Sequence, residues 1–240
     1  MIKSVLFDLD GTLLPFNMDE FTKAYFTHLG EKIAHVMEPK QFIKHLITST
    51  GVMVANLDGG QTNQQVFSKH FFAAPGLAEE IIFPIMNDFY EKEFSLLQQV
   101  TRKDAVARRA VTTALALGVD VVVATNPVFP MLATQQRLEW AGLGDIAFTL
   151  VTTYENSHFC KPNVEYYEEI AKKLGCQPHE CLMIGNDVEE DLAAAKIGMK
   201  TYLVTDCLIN TKGTEYKADY TGSLKNLAEN IDEIIKGNLM

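Results

Sequence analysis

The sequence predicts a doubly wound, mostly parallel α/β fold interrupted by a helical insert. Three observations carry this expectation. Five short apolar runs rich in β-branched residues are spread along the chain. Helix-length patterns lie between them, most closing on a glycine. One long stretch, from about residue 15 to about residue 100, has helical patterns and no convincing strand.

The five runs are "SVLFDLD" (4–10), "VDVVVATN" (119–126), "IAFTLVTT" (146–153), "CLMIGND" (181–187) and "KTYLVTD" (200–206). Near-continuous apolar runs of this length are what a parallel sheet covered on both faces requires. The first helix of the alternating region is expected in "KDAVARRAVTTALALG" (103–118), where Gly118 suits a C-terminal cap. "PVFPMLATQQRLEWAGLG" (127–144) follows, and its prolines fit only the first turn or the residues before it. "NVEYYEEIAKKLG" (163–175), "VEEDLAAAKIG" (188–198) and "SLKNLAENIDEIIKG" (223–237) each close on glycine. Steady alternation of strand and helix gives a doubly wound core.

The stretch from 15 to 100 is too long for a loop. It is expected to be a helical domain inserted into a core made of residues 1–14 and 101–240. Its aromatic residues, among them Phe21, Tyr25, Phe26, Phe71, Phe72, Phe89, Tyr90 and Phe94, read as the insert's own packing. Asn56, Asp58, Gly59 and Gly60 read as a turn.

Composition bounds the function. The chain has 240 residues, enough for a full core, with 47% hydrophobic and 22% charged residues. A formal net charge of -10 argues against nucleic acid or an anionic membrane as partner, because either needs a basic face. No apolar run approaches the roughly 20 residues of a membrane span, and no signal-peptide pattern follows Lys3. Cys160, Cys176, Cys181 and Cys207 fit neither a zinc-finger nor a redox spacing and read as reduced thiols. A cytoplasmic protein is expected.

In open α/β sheets, ligands bind beyond the carboxyl ends of the strands. The residues ending each run therefore carry the chemistry: Asp8 and Asp10, then Thr125 and Asn126, then Lys161 in a loop, then Asn186 and Asp187 with Asp191 one helical turn on. Carboxylates, a hydroxyl and an ammonium suit a divalent metal with a phosphoryl group. Magnesium takes oxygen ligands, commonly a few carboxylates with waters and substrate phosphate. Gly11 allows a turn and close backbone approach. A carboxylate can attack phosphorus to form an aspartyl phosphate, and phosphoryl transfer needs positioning and charge neutralisation above all. An EF-hand calcium loop fails, since position 6 counted from Asp8 is Leu13 rather than glycine. His158 reads as an exposed loop histidine.

These residues resemble the haloacid dehalogenase superfamily. "DLDGTL" is similar to its first motif, "VVVATN" to its second, "CKPNVEYYEEIAKKLG" to its third and "LMIGNDVEEDLAAAKIGMKTYLV" to its fourth, in the right order. The resemblance covers residues 1–14 and about 101–210, and the insert sits where the family's C1 cap belongs. It implies a Rossmann-like core and a magnesium-dependent phosphatase acting on a small phosphorylated metabolite. Asp8 would be the nucleophile and Asp10 the general acid and then base. Asp8, the Asp10 carbonyl and a fourth-motif acid would hold Mg2+. Thr125, Asn126 and Lys161 would hold the phosphoryl oxygens. The dehalogenase branch lacks the acid at position 10, so its presence implies the phosphatase or phosphotransferase branch. The fourth motif departs from the commonest pattern by placing Asn186 directly after glycine. Asp187 is the preferred metal ligand, with Asn186 and Asp191 as alternatives, the latter also suited to bonding Lys161. A phosphotransferase or mutase, or a non-catalytic binding protein on the same fold, stays open. So do the substrate and the oligomeric state.

Overall fold

The computed structural model describes residues 1–238, so the last two residues of the expected core range lie outside the described residues. Among the described residues a single six-stranded sheet runs through the molecule, in the order β3-β2-β1-β4-β5-β6 with every pairing parallel. The strands are β1 (Ser4–Phe7), β2 (Asp120–Val123), β3 (Leu150–Val151), β4 (Cys181–Gly185), β5 (Lys200–Val204) and β6 (Tyr220–Gly222). β1 lies in the middle, and its side chains alternate between two apolar layers. Val5 and Phe7 join the larger core, and Leu6 faces the smaller one with Val122 and Met183. Burial on both faces is why these runs are continuously apolar.

Helices cover both layers. α5 (Ala105–Ala116) offers Ala107, Ala110, Val111 and Ala114 to Leu227, Ile231 and Ile234 of α8 (Leu224–Lys236). The small residues let the two helices approach closely. α7 (Val164–Leu174) buries Tyr166, Tyr167 and Ile170 on the opposite face. α7 and α8 both end on glycines in the left-handed conformation, Gly175 and Gly237, as the sequence predicts. α6 (Met131–Trp140) begins only after Pro130, because the proline rings fit before the helix and not within it.

Three local expectations change. β3 is two residues long rather than eight, with the segment before it in turns. The stretch 188–198 is not an α-helix. It forms turns and then a 3-10 helix over Asp191–Ile197, closed by Gly198 at φ 90°. Asp191 reaches back to Lys161 and to the Asp187 N–H, and the chain there takes the tighter 3-10 winding up to Gly198. A sixth strand, β6, appears at the sheet edge. Only three residues long and half-exposed, it lacks the apolar run by which strands are found.

Between β1 and α5 the chain forms α1 (Met18–Ile33), α2 (Pro39–Val54), α3 (Asn63–Phe71) and α4 (Glu79–Lys92), then a 3-10 helix over Phe94–Val100, with no strand. Asn17 caps α1 by accepting from the Asp19 and Glu20 N–H groups, and Thr62 with Gln65 closes a capping box on α3. The insert interior is aromatic: Phe42 meets Phe71 edge-on at 5.5 Å, and Tyr25, Phe89, Tyr90 and Phe94 form one cluster. Among the described residues no helix is long and apolar enough to cross a membrane.

Candidate active site

Register builds the site. Phe7 pairs with Val123 on one side and Ile184 on the other. The next residues of three adjacent strands therefore leave the sheet at one edge. Asp8 N–H still donates to Ile184 O at 2.8 Å, and Ala124 N–H to Phe7 O at 2.7 Å, so Asp8 is fixed as firmly as the strand itself. Thr125 and Asn186 follow one residue further on.

The structure brings Asp8, Lys161 and Asp191 together. The fully buried Lys161 ammonium donates to Asp8 Oδ1 at 2.8 Å and to Asp191 Oδ1 at 2.6 Å. Asp191 Oδ2 accepts the Asp187 N–H at 2.9 Å. Both oxygens of Asp191 are thus committed, and its side chain locks Lys161 to the turn after β4. That turn needs Gly185, because a Cβ there would overlap the Asp191 carboxylate.

Thr12 and Asn186 form a second link. The Thr12 hydroxyl lies 3.0 Å from Asp8 Oδ2 and 2.9 Å from Asn186 Oδ1. A hydroxyl has one proton, so it satisfies one of these two oxygens at a time. The Asn186 amide is oriented by its Nδ2, which donates to Cys207 O at 2.6 Å. Gly11 has φ 81°, and a Cβ there would sit 2.5 Å from Asn186 Nδ2. The glycine is required by both conformation and space.

Asp10 turns the other way. Its Oδ2 accepts from Arg137 Nη1, while its Oδ1 is buried without a hydrogen-bond partner. Arg137 is itself fully buried, its guanidinium 4.6 Å from the centroid of the Phe129 ring. Asp187 Oδ1 accepts the Glu189 and Glu190 N–H groups at 2.7 and 2.9 Å. Asn126 Nδ2 donates to Glu190 Oε1 at 3.0 Å. Thr125 is buried, and its carbonyl accepts from Thr152 Oγ1 and Tyr166 OH. His158 bonds Glu169 in its loop and takes no part.

Arg137 and Glu190 are site residues that the sequence reading missed. Arg137 had a signal: it lies four residues after Ala133 and four before Ala141, on the buried stripe of α6. Glu190 had none, because an acid in a turn is ordinary.

The electrostatics are those of a crowded acidic site. Five carboxyl groups, Asp8, Asp10, Asp187, Glu190 and Asp191, share two cationic side chains, Lys161 and Arg137. Burial raises Asp8 to about 7, with Lys161 opposing. Burial likewise raises Asp10 against Arg137, Asp187 against two main-chain N–H groups, and Glu190 to about 8. Burial alone would lower Lys161, but Asp191 and Asp8 outweigh it and hold the ammonium charged.

Among the described residues no three His, Cys, Asp or Glu side chains converge where they would hold a metal ion. A hard cation bound by two carboxylates, a main-chain carbonyl and waters needs no such triad. The donors at hand fit one: Asp8, Asp187, Asn186 and the Asp10 carbonyl all offer oxygens, and one of the two oxygens facing Thr12 always lacks a donor.

Above this floor opens a cavity of about 490 Å³, lined by Asp8, Asp10, Thr125, Asn126 and Asp187 below and by side chains of α1 to α4 above. Phe21, Tyr25, Phe26 and Tyr90 are among them, with Phe72 just after α3. The insert aromatics are therefore both its own packing and a wall of the site, which refines the expectation of packing alone.

Acids bonded to a buried lysine at the ends of a doubly wound parallel sheet, beneath a cavity, are the marks of an α/β enzyme. The chain belongs to the haloacid dehalogenase-like hydrolases, whose family model matches residues 2–198. It is 26% identical over 233 residues to the glyceraldehyde 3-phosphate phosphatase of Methanothermobacter thermautotrophicus, covering 92% of this chain and 91% of that one. It is 25% identical over 200 residues to the pyrophosphatase PpaX of Bacillus pumilus, covering 83% and 82%. In three dimensions it resembles CbbY from Rhodobacter sphaeroides, solved in complex with phosphate, with a TM-score of 0.61, 18% identity and coverage of 95% and 96%. That likeness speaks for the fold.

Proposed function

We propose that the protein is a magnesium-dependent phosphatase that hydrolyses a phosphate monoester through an aspartyl phosphate on Asp8. The observation that carries this reading is the Asp8–Lys161–Asp191 chain at the strand edge, open to a cavity that Asp10 also lines. The family and the curated relatives, phosphatases and a pyrophosphatase among them, support phosphate-ester hydrolysis in general.

In this scheme Asp8 attacks phosphorus, and the bond to the leaving oxygen breaks. Asp10 gives that oxygen its proton. Burial, which raises Asp10, favours the protonated form this step requires. Water then attacks the phosphoryl group, Asp10 takes its proton, and free phosphate leaves with Asp8 regenerated. Lys161 keeps Asp8 oriented and has a third N–H available beyond its two bonds. Thr125 and Asn126 border the phosphoryl position. Mg2+, when bound, would neutralise phosphoryl charge. Asp8, the Asp10 carbonyl and Asp187 are its proposed ligands, with Asn186 beside them. Asp191 serves Lys161 instead. Residues 15–100 act as the cap that excludes water.

The Asp8→Asn variant tests the reading. It should release no phosphate from p-nitrophenyl phosphate with magnesium while keeping its circular dichroism spectrum, and chelation should silence the unaltered protein reversibly. Full activity in the variant would sink the mechanism. Phosphate release in step with substrate loss separates hydrolysis from transfer to another acceptor.

A further inference from the structure

The cavity above Asp8 has a composition that the proposed reaction does not explain. Its upper wall is drawn from the insert helices and from residues 128–130 before α6, and is mainly apolar, with Phe21, Phe26, Phe72, Phe83, Met86 and Phe129 lining it. Among the described residues that line it there is no Lys, Arg or His. The charged groups are all acids, and they lie on the floor. The wall carries few polar groups, Thr22, Ser68 and Asn87 among them. Tyr25 and Tyr90 share a hydroxyl–hydroxyl hydrogen bond of 2.8 Å, and the Thr50 hydroxyl donates to Leu46 O at 2.9 Å.

A second, more polar hollow of about 890 Å³ lies on another side of Asp10 and includes the cationic Arg102. It does not include Asp8, Thr125 or Asn126, which line only the first cavity. A phosphoryl group on Asp8, bordered by Thr125 and Asn126, therefore directs its leaving group into the apolar space.

Consider what such a space rejects. A second anionic group would enter low-dielectric surroundings without a countercharge and above several carboxylates. A sugar carries more hydroxyls than the wall's Thr22, Ser68 and Asn87 could pair, and each hydroxyl left against an aromatic face is unfavourable. An apolar group meets neither penalty and gains from leaving water. The volume lies within the range of ordinary small-molecule sites.

The geometry points to a substrate that is the phosphate monoester of a neutral, predominantly apolar alcohol, its hydrocarbon or ring portion held by the insert aromatics. This rests on the phosphatase reading and narrows it.

The test compares kcat/KM, with magnesium, for three monoesters of primary alcohols, so that leaving-group chemistry is matched: 2-(naphthyl)ethyl phosphate, glucose 6-phosphate and 2-phosphoglycolate. p-Nitrophenyl phosphate serves as the general reporter of turnover. The naphthylethyl ester should exceed the other two by ~100-fold or more, the scale on which a pocket separates substrates by apolar fit. Phe83 is 36% exposed on α4, so Phe83→Ser should fold, and it should raise KM for the naphthylethyl ester by ~10-fold. An unchanged KM would overturn the proposal that the insert aromatics hold the leaving group. Equal or reversed preference, with p-nitrophenyl phosphate still turned over, overturns the substrate class and leaves the phosphatase intact. If 2-phosphoglycolate is preferred and Arg102→Ala erases that preference, the leaving group occupies the second hollow and this proposal is wrong. No turnover of any ester, the reporter included, overturns the phosphatase reading itself.

Discussion

The strand edge and the helical insert face each other across one cavity, yet they are built by different physics. At the strand edge, position is set by directed bonds: Lys161 to Asp8 and Asp191, Asp191 to the Asp187 N–H, Thr12 between Asp8 and Asn186. In the insert, position is set by shape. Aromatic rings meet at 5–6 Å, and few polar contacts intervene, such as Tyr25 with Tyr90 and Lys32 with Glu93. Directed bonds are unforgiving, because a removed partner leaves a buried polar group unsatisfied. Apolar packing tolerates exchange when volume is kept. The half of the site that would make and break bonds should therefore be fragile, and the half that would surround a substrate should be adaptable.

The contrast is sharpest at Lys161. Replacing it by Met leaves Asp8 and Asp191 buried and facing each other without their cation. Loss of one member of a buried ion pair costs ~3–5 kcal/mol. Denaturant unfolding should show a loss of that size, with turnover falling below detection. A variant within about 1 kcal/mol of the parent would show that the chain of bonds contributes little.

Gly185→Ala comes next. The added methyl displaces the Asp191 carboxylate, at a stability cost of ~1–3 kcal/mol typical of overpacking. A small misplacement at a reacting centre can lower kcat by ~100-fold, so activity should fall further than stability. If kcat instead tracks the folded fraction, the Asp191–Lys161 contact has no positioning role.

In the insert, Leu29→Met tests the adaptable half. Leu29 is buried in α1, and a volume-conserving exchange costs less than ~1.5 kcal/mol. Turnover should stay within about twofold of the parent. A larger loss of activity would break the comparison, by showing that insert packing sets catalytic geometry too.

The smallest effect is expected far from the cavity, at Arg108 and Asp145, where two N–H···O bonds of 2.6 and 2.7 Å join exposed groups. The guanidinium holds the Asp145 carboxyl down at about 2. A lowered folded value means the unfolded chain binds this proton more readily. The contribution is therefore present above about pH 4 and is lost as pH falls toward 2. The melting temperatures of Asp145→Asn and the parent should differ slightly at pH 5 and converge near pH 2. Equal values throughout would mean that solvent screens the pair completely.

Much of this is legible in the sequence alone. The apolar run before Asp8 reads as a buried strand because both of its faces are covered, and Gly175 and Gly237 mark helix ends because only glycine takes that conformation cheaply. What escaped notice was whatever has no local pattern. β6 is too short and too exposed to show a period. The helix expected over 188–198 gives way to turns, because Asp191 must reach back to Lys161 and to the Asp187 N–H. Arg137 does lie on the apolar stripe of α6, but a charged residue there reads as surface until the helix is docked with that stripe inward.

The sequence alone determined the alternation of elements, the helical insert and the list of chemical groups at the strand ends, because periodicity and residue type are local properties. Only the tertiary structure decided which groups meet. Register set Asp8 beside Ile184, and packing turned Asp10 toward Arg137. The distant Lys161, Asp191 and insert aromatics arrived around Asp8 because burying a sheet on both faces leaves its strand ends as the place where they converge.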